Sequence, residues 1–137
     1  MIKLTDIAWL GGLLEGEGSF FWESYTHRQR GREYYYERPL ISLFMTDADT
    51  VDRAARLLGN NSYVADYDKR ANHKPGKKVQ IYGKRAIGWM QTIYPFLGER
   101  RKAKVREIIS KYKAYKINGL RYVKHVDKER GLDAPAT

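Results

Sequence analysis

The first apolar residues of the chain recur at the spacing of one helical face: Ile7, Leu10, Leu13 and Leu14. This periodicity predicts a helix through the segment IAWLGGLLEG. Thr5 or Asp6 can cap its N-terminus, because a short polar side chain there accepts a hydrogen bond from a free N–H group. Gly18 ends it. The most apolar helix of the chain therefore contains glycines that weaken it.

A change to aromatic and β-forming residues after Gly18 predicts a β-hairpin. The segment SFFWESYTH forms its first strand, RQRGRE a charged turn, and YYYERPLISLFM the returning strand. Pro39 lies in the returning strand and has no N–H to donate to a neighbouring strand. We therefore expect Pro39 at an edge of the sheet or at a bulge.

The next segment, TDADTVDRAARLLG, carries signals for both ends of a helix. Thr46 or Asp47 can cap its start, acidic residues occupy its first turn, and Gly59 follows its last leucines. A second hairpin follows, because the strand-like segments SYVADYDKR and KVQIYGK flank a turn containing proline and glycine.

Two further helices, in RAIGWMQTIYPFL and ERRKAKVREIISKYKAY, complete the order helix, hairpin, helix, hairpin, helix, helix. Two hairpin-plus-helix units predict a single α+β domain over residues 1–117. We expect an α-ββ-α-ββ-α arrangement in which a four-stranded antiparallel sheet carries helices on one face. The other face is then open for cations and tyrosines. Residues 118–137 are polar and poorly patterned, and we expect a C-terminal tail.

Basic residues outnumber acidic ones, 26 to 16, which gives a formal net charge of +10. Such an excess favours a polyanionic partner, with nucleic acid ahead of an anionic membrane surface. Charge alone leaves an ordinary solvated surface as the alternative. The chain also contains 11 tyrosines, which suit contacts to sugars, phosphates and bases but equally suit the core side of strands.

Several classes of protein are disfavoured by composition. No apolar run reaches the length of about 18 residues that a membrane span needs, and we see no secretion signal. Cysteine is absent, which excludes disulfides, thiolate nucleophiles and thiolate metal sites. The three histidines, His27, His73 and His125, show no metal-ligand spacing. We expect an intracellular, cytoplasmic protein that does not contact membranes.

Gly12 and Gly16 stand four residues apart and lie on one face of the first helix. Each glycine costs about 0.5–1 kcal/mol relative to alanine inside a helix, and close approach of a second helix is the natural compensation. The chain has no second glycine-rich helix. We therefore expect a symmetric homodimer whose interface includes Trp9, Gly12, Leu13 and Gly16.

In such a dimer Glu17 lies close to its own copy at the helix end. Two adjacent carboxylates repel each other unless a cation lies between them. A hard divalent ion such as Mg²⁺, held by carboxylates, waters and phosphate oxygens, fits this arrangement. The alternative is an ordinary helix C-terminus, in which Gly16 and Gly18 simply break the helix. A phosphate-binding loop fits less well, because its glycines precede a helix and usually accompany a lysine.

The segment LGGLLEGEG, Leu10 to Gly18, resembles the nine-residue signature of the LAGLIDADG homing endonucleases, with glutamate for aspartate at both acidic places. Its surroundings agree: SF follows it, then come an aromatic strand, ISLFMTDADTVDRAARLLG and IYPFLGERRKAKV. The resemblance covers roughly Asp6 to Lys113. It implies a saddle-shaped antiparallel sheet that lies in the DNA major groove, and homodimers whose motif helices pack together at the two-fold axis.

The resemblance also implies site residues. The last acidic residue of the motif, here Glu17, binds Mg²⁺, and the preceding residue, here Gly16, contributes its backbone carbonyl. A polar residue near the start of the second helix orders water; Met45 cannot do so, Thr46 and Asp47 remain, and Asp47 is also a natural N-cap. A basic residue after PFL stabilises the scissile phosphate, and Arg100 or Arg101 fits, with a solvated helix start as the alternative.

The family resemblance directs one set of alternating side chains on the first strand towards DNA: Phe21, Glu23, Tyr25 and His27. Glu23 can accept from cytosine, and Phe21 either contacts a thymine methyl or indicates a wrong register. Cations and one amide flank the two hairpins: Arg28, Arg30, Arg32, Arg38, Lys69, Arg70, Lys77, Lys78 and Gln80. Most of these should position the DNA backbone.

The resemblance therefore implies a Mg²⁺-dependent, site-specific endonuclease that cuts both strands of a long, pseudo-palindromic DNA site as a homodimer. Two alternatives remain on the same scaffold. One is a DNA-binding regulator that has lost cleavage, against which the retained Glu17 argues. The other is an RNA-binding intron maturase, whose RNA binding would not depend on Glu17.

Overall fold

The computed structural model describes residues 2–59, 63–67, 76–117, 124–127 and 132–134. Helices and strands follow one another in the predicted order, and the α+β class is confirmed. The elements are α1 Leu4–Glu17, β1 Gly18–Gln29, β2 Arg32–Met45, α2 Ala48–Leu58, β3 Tyr63–Tyr67, β4 Gly76–Tyr82, α3 Gly83–Ile93, a 3₁₀ turn Tyr94–Phe96, α4 Glu99–Ile117, β5 Lys124–Asp127 and β6 Leu132–Ala134.

The sheet is antiparallel and is organised around β2. Strand β1 pairs with one edge of β2 along its length, from Gly18 opposite Leu43 to Gln29 opposite Arg32. On the other edge, β4 pairs with the C-terminal half of β2, and β3 pairs with β4. The two predicted hairpins are therefore neighbours in one sheet, joined through β2 and β4.

The predicted count of four strands is wrong, because the described part of the chain forms a six-stranded sheet. Strand β5 pairs with β2 at Glu33, Tyr34 and Tyr35, on the stretch of this second edge that β4 does not reach, and β6 pairs with β5. A strand edge without a partner presents free N–H and C=O groups, which β5 satisfies here. The predicted tail thus contributes two short strands.

Pro39 lies in a part of β2 that is locally an edge. It is opposite Trp22 of β1, and between the segments that pair with β4 and β5 no described strand pairs with the other side of β2. A residue without an N–H is tolerated there because no ladder bond is lost. The expectation of an edge position therefore agrees with the pairing.

One face of the sheet carries the helices and the core. Alternating residues of the strands, including Phe20, Ile41 and Ile81, are almost fully buried against side chains from all four helices, such as Leu10 and Ile108. The opposite face of the sheet has no helix on it among the described residues. None of the described helices is both long enough and apolar enough to cross a membrane.

Gly11 permits a close internal approach between α1 and the turn before α4. A Cβ atom on Gly11 would lie 2.7 Å from the Cβ atom of Phe96, in the 3₁₀ turn before α4. The same construction on Gly12 or Gly16 meets nothing within 4 Å. The internal close contact of this helix is therefore made by the one glycine that shares a face with Leu10 and Leu14.

We expect Gly11→Ala to lower the free energy of unfolding by about 1–3 kcal/mol, because the added methyl group forces the Phe96 turn to move. Gly88→Ala is the matched control, since Gly88 is also helical and a Cβ there meets nothing within 4 Å. In that control the free energy of unfolding should rise by up to about 1 kcal/mol, because alanine has a higher helix propensity than glycine. Urea unfolding at equal protein concentration measures the free energy of unfolding of both variants. The same change in both would disprove the contact of Gly11 with Phe96.

Candidate active site and nucleic-acid interface

The C-terminal end of α1 carries two acidic residues, Glu15 and Glu17, and no basic residue in its last turn. A helix C-terminus bears partial negative charge, so carboxylates there are unfavourable unless something compensates them. Glu15 is compensated: it accepts a hydrogen bond from the Gly98 N–H at 3.0 Å and lies 3.8 Å from Arg101 Nε. Glu17 is exposed and has no hydrogen-bond or ion-pair partner among the described residues. The uncompensated charge of this helix end therefore sits on Glu17.

The same helix end offers backbone oxygen. The last four carbonyls of a helix have no intrahelical partner, and the carbonyl of Gly16 is one of them. An exposed carboxylate beside a free carbonyl, at the negative end of a helix, is a donor set that suits a hard divalent cation. No group of three or more His, Cys, Asp or Glu side chains comes together in the described residues. A cation held by Glu17 and Gly16 would complete its shell with water, phosphate oxygens or a second chain.

A basic cleft of about 470 Å³ lies beside this helix end, between the start of β1 and the start of α4. Its walls include Gly18, Phe21, Arg100 and Lys104. Gly18 directly follows Glu17, so the acidic helix end and the cationic cleft are neighbours. An anion in this cleft would meet cations of α4 beside Gly18, the residue that directly follows the uncompensated Glu17.

The two candidate arginines have different environments. Arg101 is 18% exposed, and its Nη1 donates to the Gly18 carbonyl at 2.5 Å. Its Nε, buried without a hydrogen-bond partner among the described residues, points towards Glu15. Arg100 is exposed and lines the cleft. Arg101 therefore holds α4 against the end of α1, whereas the guanidinium of Arg100 is available to an anion.

We expect Arg101→Met to lower the free energy of unfolding by about 1.5–3 kcal/mol, because it removes a charged hydrogen bond to the Gly18 carbonyl and the cation beside Glu15. Arg100→Met, the adjacent control, should change it by less than about 0.5 kcal/mol because its side chain is exposed. Thermal unfolding of both variants measures the difference. A destabilisation of the Arg100 variant as large as that of the Arg101 variant would remove this distinction.

Asp47 was predicted both as a helix cap and as a catalytic group. It is the N-cap of α2, and its side chain accepts a hydrogen bond from the Thr50 N–H at 3.3 Å. This described contact joins Asp47 to α2 and not to the end of α1. The capping prediction is confirmed, and the catalytic one gains no support from the geometry.

The predicted dimer face of α1 is accessible in the protomer. Gly12 and Gly16 are exposed, and the space above both is empty. Trp9 and Leu13 are half-buried and pack against the core from the sides of this face. The guanidinium of Arg53 lies 3.9 Å from the Trp9 ring centroid. No described element of the same chain covers the two glycines.

The first strand has the predicted alternation. Phe20 is 4% exposed and Trp22 packs against the core, whereas Phe21 is 45% exposed. Phe21, Glu23, Tyr25 and His27 therefore lie on the face of the sheet without helices, which we call the open face. The alternation of β1 agrees with the predicted register, and the orientation of this set towards DNA stays a prediction. Phe21 belongs to the open face and does not indicate a slip.

Most predicted cations can be placed relative to this open face. Strand alternation and pairing put Arg38, Lys78 and Gln80 on it, whereas Lys77 lies on the helix side, where its Nζ is 2.7 Å from Asp52 Oδ1 of α2. The period of two in a strand therefore places Lys77 on the helix side, and its contact with DNA stays a prediction.

The hairpin tip carries three arginines. Strand alternation places Arg28 on the side opposite the open face, where it pairs with Glu33 at 3.1 Å, and its contact with the DNA backbone stays a prediction. Arg30 and Arg32 are exposed at the turn. The predicted contacts Lys69 and Arg70 lie outside the described residues.

Comparison with solved structures gives several matches to this architecture. The homing endonuclease I-CvuI, in complex with its DNA target in the presence of calcium, aligns over 85% of this chain and 73% of its own, with a TM-score of 0.62 and 16% identity. The group I intron-encoded homing endonuclease I-CeuI, complexed with DNA, aligns over 86% of this chain with a TM-score of 0.62 and 13% identity. The chain has the fold of the LAGLIDADG homing endonucleases.

A second I-CvuI structure, with the I-CreI target and magnesium and with the DNA not cleaved, matches this homing-endonuclease fold at a TM-score of 0.55 and 21% identity, over 83% of this chain and 73% of that one. The chain spans 58% of the length of I-CeuI. No protein-family model and no curated protein sequence matches the chain. The likeness is therefore one of fold at low sequence identity.

Within the homing-endonuclease fold of this chain, sequence reasoning missed several side chains of the open face. Tyr36 stacks on Tyr25 with ring centroids 5.3 Å apart, and the Tyr82 hydroxyl donates to Gln80 Oε1 at 2.6 Å. Gln80 in turn donates to Ser42 Oγ at 3.4 Å. These residues belong to β2 and β4, and only the pairing of the strands brings them beside the predicted residues of β1.

Proposed function

We propose that this chain is a site-specific DNA endonuclease that cuts both strands of a long, pseudo-palindromic site as a homodimer and depends on a divalent metal such as Mg²⁺. One observation carries the proposal. Glu17 ends α1 as an exposed carboxylate without a described partner, beside a cleft lined by Arg100 and Lys104. An acidic group next to cations, at the margin of an open sheet face, is what metal-assisted attack on a phosphodiester requires.

The solved structures with this fold support the choice of substrate and cofactor. I-CvuI and I-CeuI are homing endonucleases seen with DNA, and the two I-CvuI complexes contain calcium or magnesium in their conditions. The net charge of +10 suits a polyanion. The open face supplies the planar and cationic side chains that a groove-binding surface needs.

The residues of this chain divide the chemistry between them. The Glu17 carboxylate and the Gly16 carbonyl would hold the metal ion, which supplies Lewis-acid stabilisation and lowers the pKa of a bound water. Arg100, which lines the cleft, would neutralise charge on the scissile phosphate. Arg101 holds α4 against the end of α1 and so fixes the relative positions of these two helices.

The exposed face of α1 supports the proposed homodimer. Gly12 and Gly16 leave room for another helix backbone, and the only copy of this motif in the chain is α1 itself. A two-fold axis at this face brings the two Glu17 side chains to the centre of the assembly, with one open sheet face on each side. Each protomer would then read one half of the site and cut one strand.

The experiment that tests the proposal is incubation of the full chain with a randomised DNA library in Mg²⁺, followed by sequencing of the new ends. We expect a narrow set of cut sites with two-fold related halves. Sequence-specific binding without cutting would instead establish a non-cleaving regulator. Tight binding of intron RNA with no cut DNA would establish a maturase, and both results overturn the endonuclease proposal.

A further inference from the structure

Arg38 lies near the middle of the open face, and three neighbouring side chains restrain its guanidinium. Glu23 is directly opposite on β1, and Arg38 Nε donates to Glu23 Oε2 at 2.8 Å. The guanidinium carbon is 4.3 Å from the ring centroid of Tyr25 on β1 and 3.9 Å from that of Tyr82 on β4. Side chains of both strands that flank β2 therefore hold one planar cation.

Tyr82 is itself restrained. Its hydroxyl donates to Gln80 Oε1 at 2.6 Å, and the Gln80 amide donates to Ser42 Oγ at 3.4 Å. The chain of contacts thus runs from β1 through β2 to β4 and fixes the wall against which Arg38 stacks. A flexible arginine loses rotamer entropy when it binds, whereas here much of that entropy is already lost in the free protein.

The contacts of Arg38 leave its recognition edge available. Glu23 takes the Nε–H, and the two terminal nitrogens retain their N–H groups in a fixed fork. The side chain is 32% exposed, so this fork can be reached from the open face. In the major groove, guanine is the base that presents two adjacent acceptors, O6 and N7, which match such a fork.

Electrostatics also separates Arg38 from an ordinary phosphate contact. Glu23 places a negative charge 2.8 Å from Arg38, so the pair contributes little net charge to attraction of the DNA backbone. An arginine that only attracts the DNA backbone gains nothing from a neighbouring carboxylate. An arginine that donates directional hydrogen bonds to a base gains a fixed orientation from it.

We infer that Arg38 reads one guanine in each half of the DNA site and that Glu23 is the positioning residue that orients its fork. The inference rests on the proposed function insofar as the open face lies in the DNA major groove. It replaces the prediction that Glu23 itself accepts a hydrogen bond from cytosine. Tyr25 and Tyr82 contribute to this recognition because their rings fix the plane of the Arg38 guanidinium.

The test is enrichment of bound duplexes from a randomised library in EDTA, which separates recognition from cutting. For the unaltered protein we expect one strongly preferred guanine at symmetric places in both halves. Arg38→Lys keeps the charge but removes the fork, and the preference for that guanine over the other bases should fall about 5- to 100-fold. Preferences at the other positions should remain.

Glu23→Gln tests the positioning role. It removes a negative charge from the open face, so binding to unrelated DNA should tighten, while the preference at the same guanine should weaken at least about 3-fold. A purely structural role for Glu23 would change affinity for all sequences equally. Arg56→Lys, on α2 away from the open face, is the matched control and should leave the base profile unchanged.

Three results would overturn the inference. In the first, Arg38→Lys weakens all sequences equally, which would make Arg38 a backbone contact. In the second, Arg38→Lys changes the preference for a base other than guanine. In the third, the unaltered protein enriches no sequence at all, which would also refute DNA recognition by this fold. Selective binding with no cutting in Mg²⁺ would refute only the endonuclease proposal and would leave the reading of guanine by Arg38 supported.

Discussion

Glu17→Gln is expected to reduce DNA cleavage in Mg²⁺ by at least about 1000-fold while binding to the same DNA stays within about 3-fold. The substitution keeps the shape of the side chain but removes the charge that would hold the cation, and loss of about 4 kcal/mol of Lewis-acid stabilisation corresponds to that factor. Glu17 is exposed without a described partner, so the fold should not change. Single-turnover cleavage and a gel-shift titration measure the two effects.

Glu107→Gln provides the matched control for this experiment. Glu107 also lines the basic cleft, but it lies on α4 and is 3.8 Å from Lys104. Its loss removes one negative charge from the same cleft and should leave cleavage within a few-fold of the parent. Undiminished cutting by the Glu17 variant, or an equal loss in both variants, would exclude Glu17 as the metal-binding group.

Gly12→Leu is expected to convert the proposed dimer into a folded monomer that lacks the proposed double-strand cleavage. A Cβ atom at this position meets no atom of another described element within 4 Å, so the side chain begins in open space. Leucine should therefore stabilise the isolated helix by up to about 1 kcal/mol, while it blocks the approach of a second helix backbone. Sedimentation velocity gives the oligomeric state, and thermal unfolding shows that the monomer is folded.

The control for the interface is Gly88→Leu. Gly88 is helical and exposed, and its Cβ also meets no atom within 4 Å, but it lies on α3. That variant should keep the sedimentation coefficient of the parent. Retention of the dimer by the Gly12 variant would move the interface away from this face of α1 and remove the reason for pairing two Glu17 side chains.

The elements and faces of this chain were predictable where the relevant pattern is local. The alternation of Phe20, Phe21 and Trp22 assigned β1 to its faces because successive strand residues point to opposite sides. Asp47 was predicted as a cap for a similarly local reason, since its carboxylate reaches the N–H of Thr50 within one turn.

The pairing of Glu23 with Arg38 was not predicted, because it depends on the register of the first hairpin, and composition alone assigns the whole charged segment RQRGRE to its turn. The actual turn is two residues, Arg30 and Gly31, both with positive φ, of 54° and 74°. Such turns usually carry Asn-Gly or Asp-Gly, and an arginine in the first place gives a weak signal. With that turn recognised, counting outward from Gln29 and Arg32 gives the pair.

The contact of Gly11 and the strands of the C-terminal tail were not predicted, for two different reasons. Gly11 shares the apolar face of Leu10 and Leu14, so its contact with Phe96 follows from the helical period, although the identity of the contacted turn does not. Strands β5 and β6 come from a polar segment without alternation. Their pairing is set by an available edge of β2, which no local pattern reveals.

Glu17 is the last residue of α1 and Gly18 is the first of β1, so no linker separates the acid from the strand. Arg101 ties this junction to α4. If the open face binds DNA as proposed, a mismatched duplex that displaces β1 would also displace the Glu17 carboxylate. A mismatched target would then lose both binding affinity and cleavage rate. Cleavage would therefore be more sequence-specific than binding.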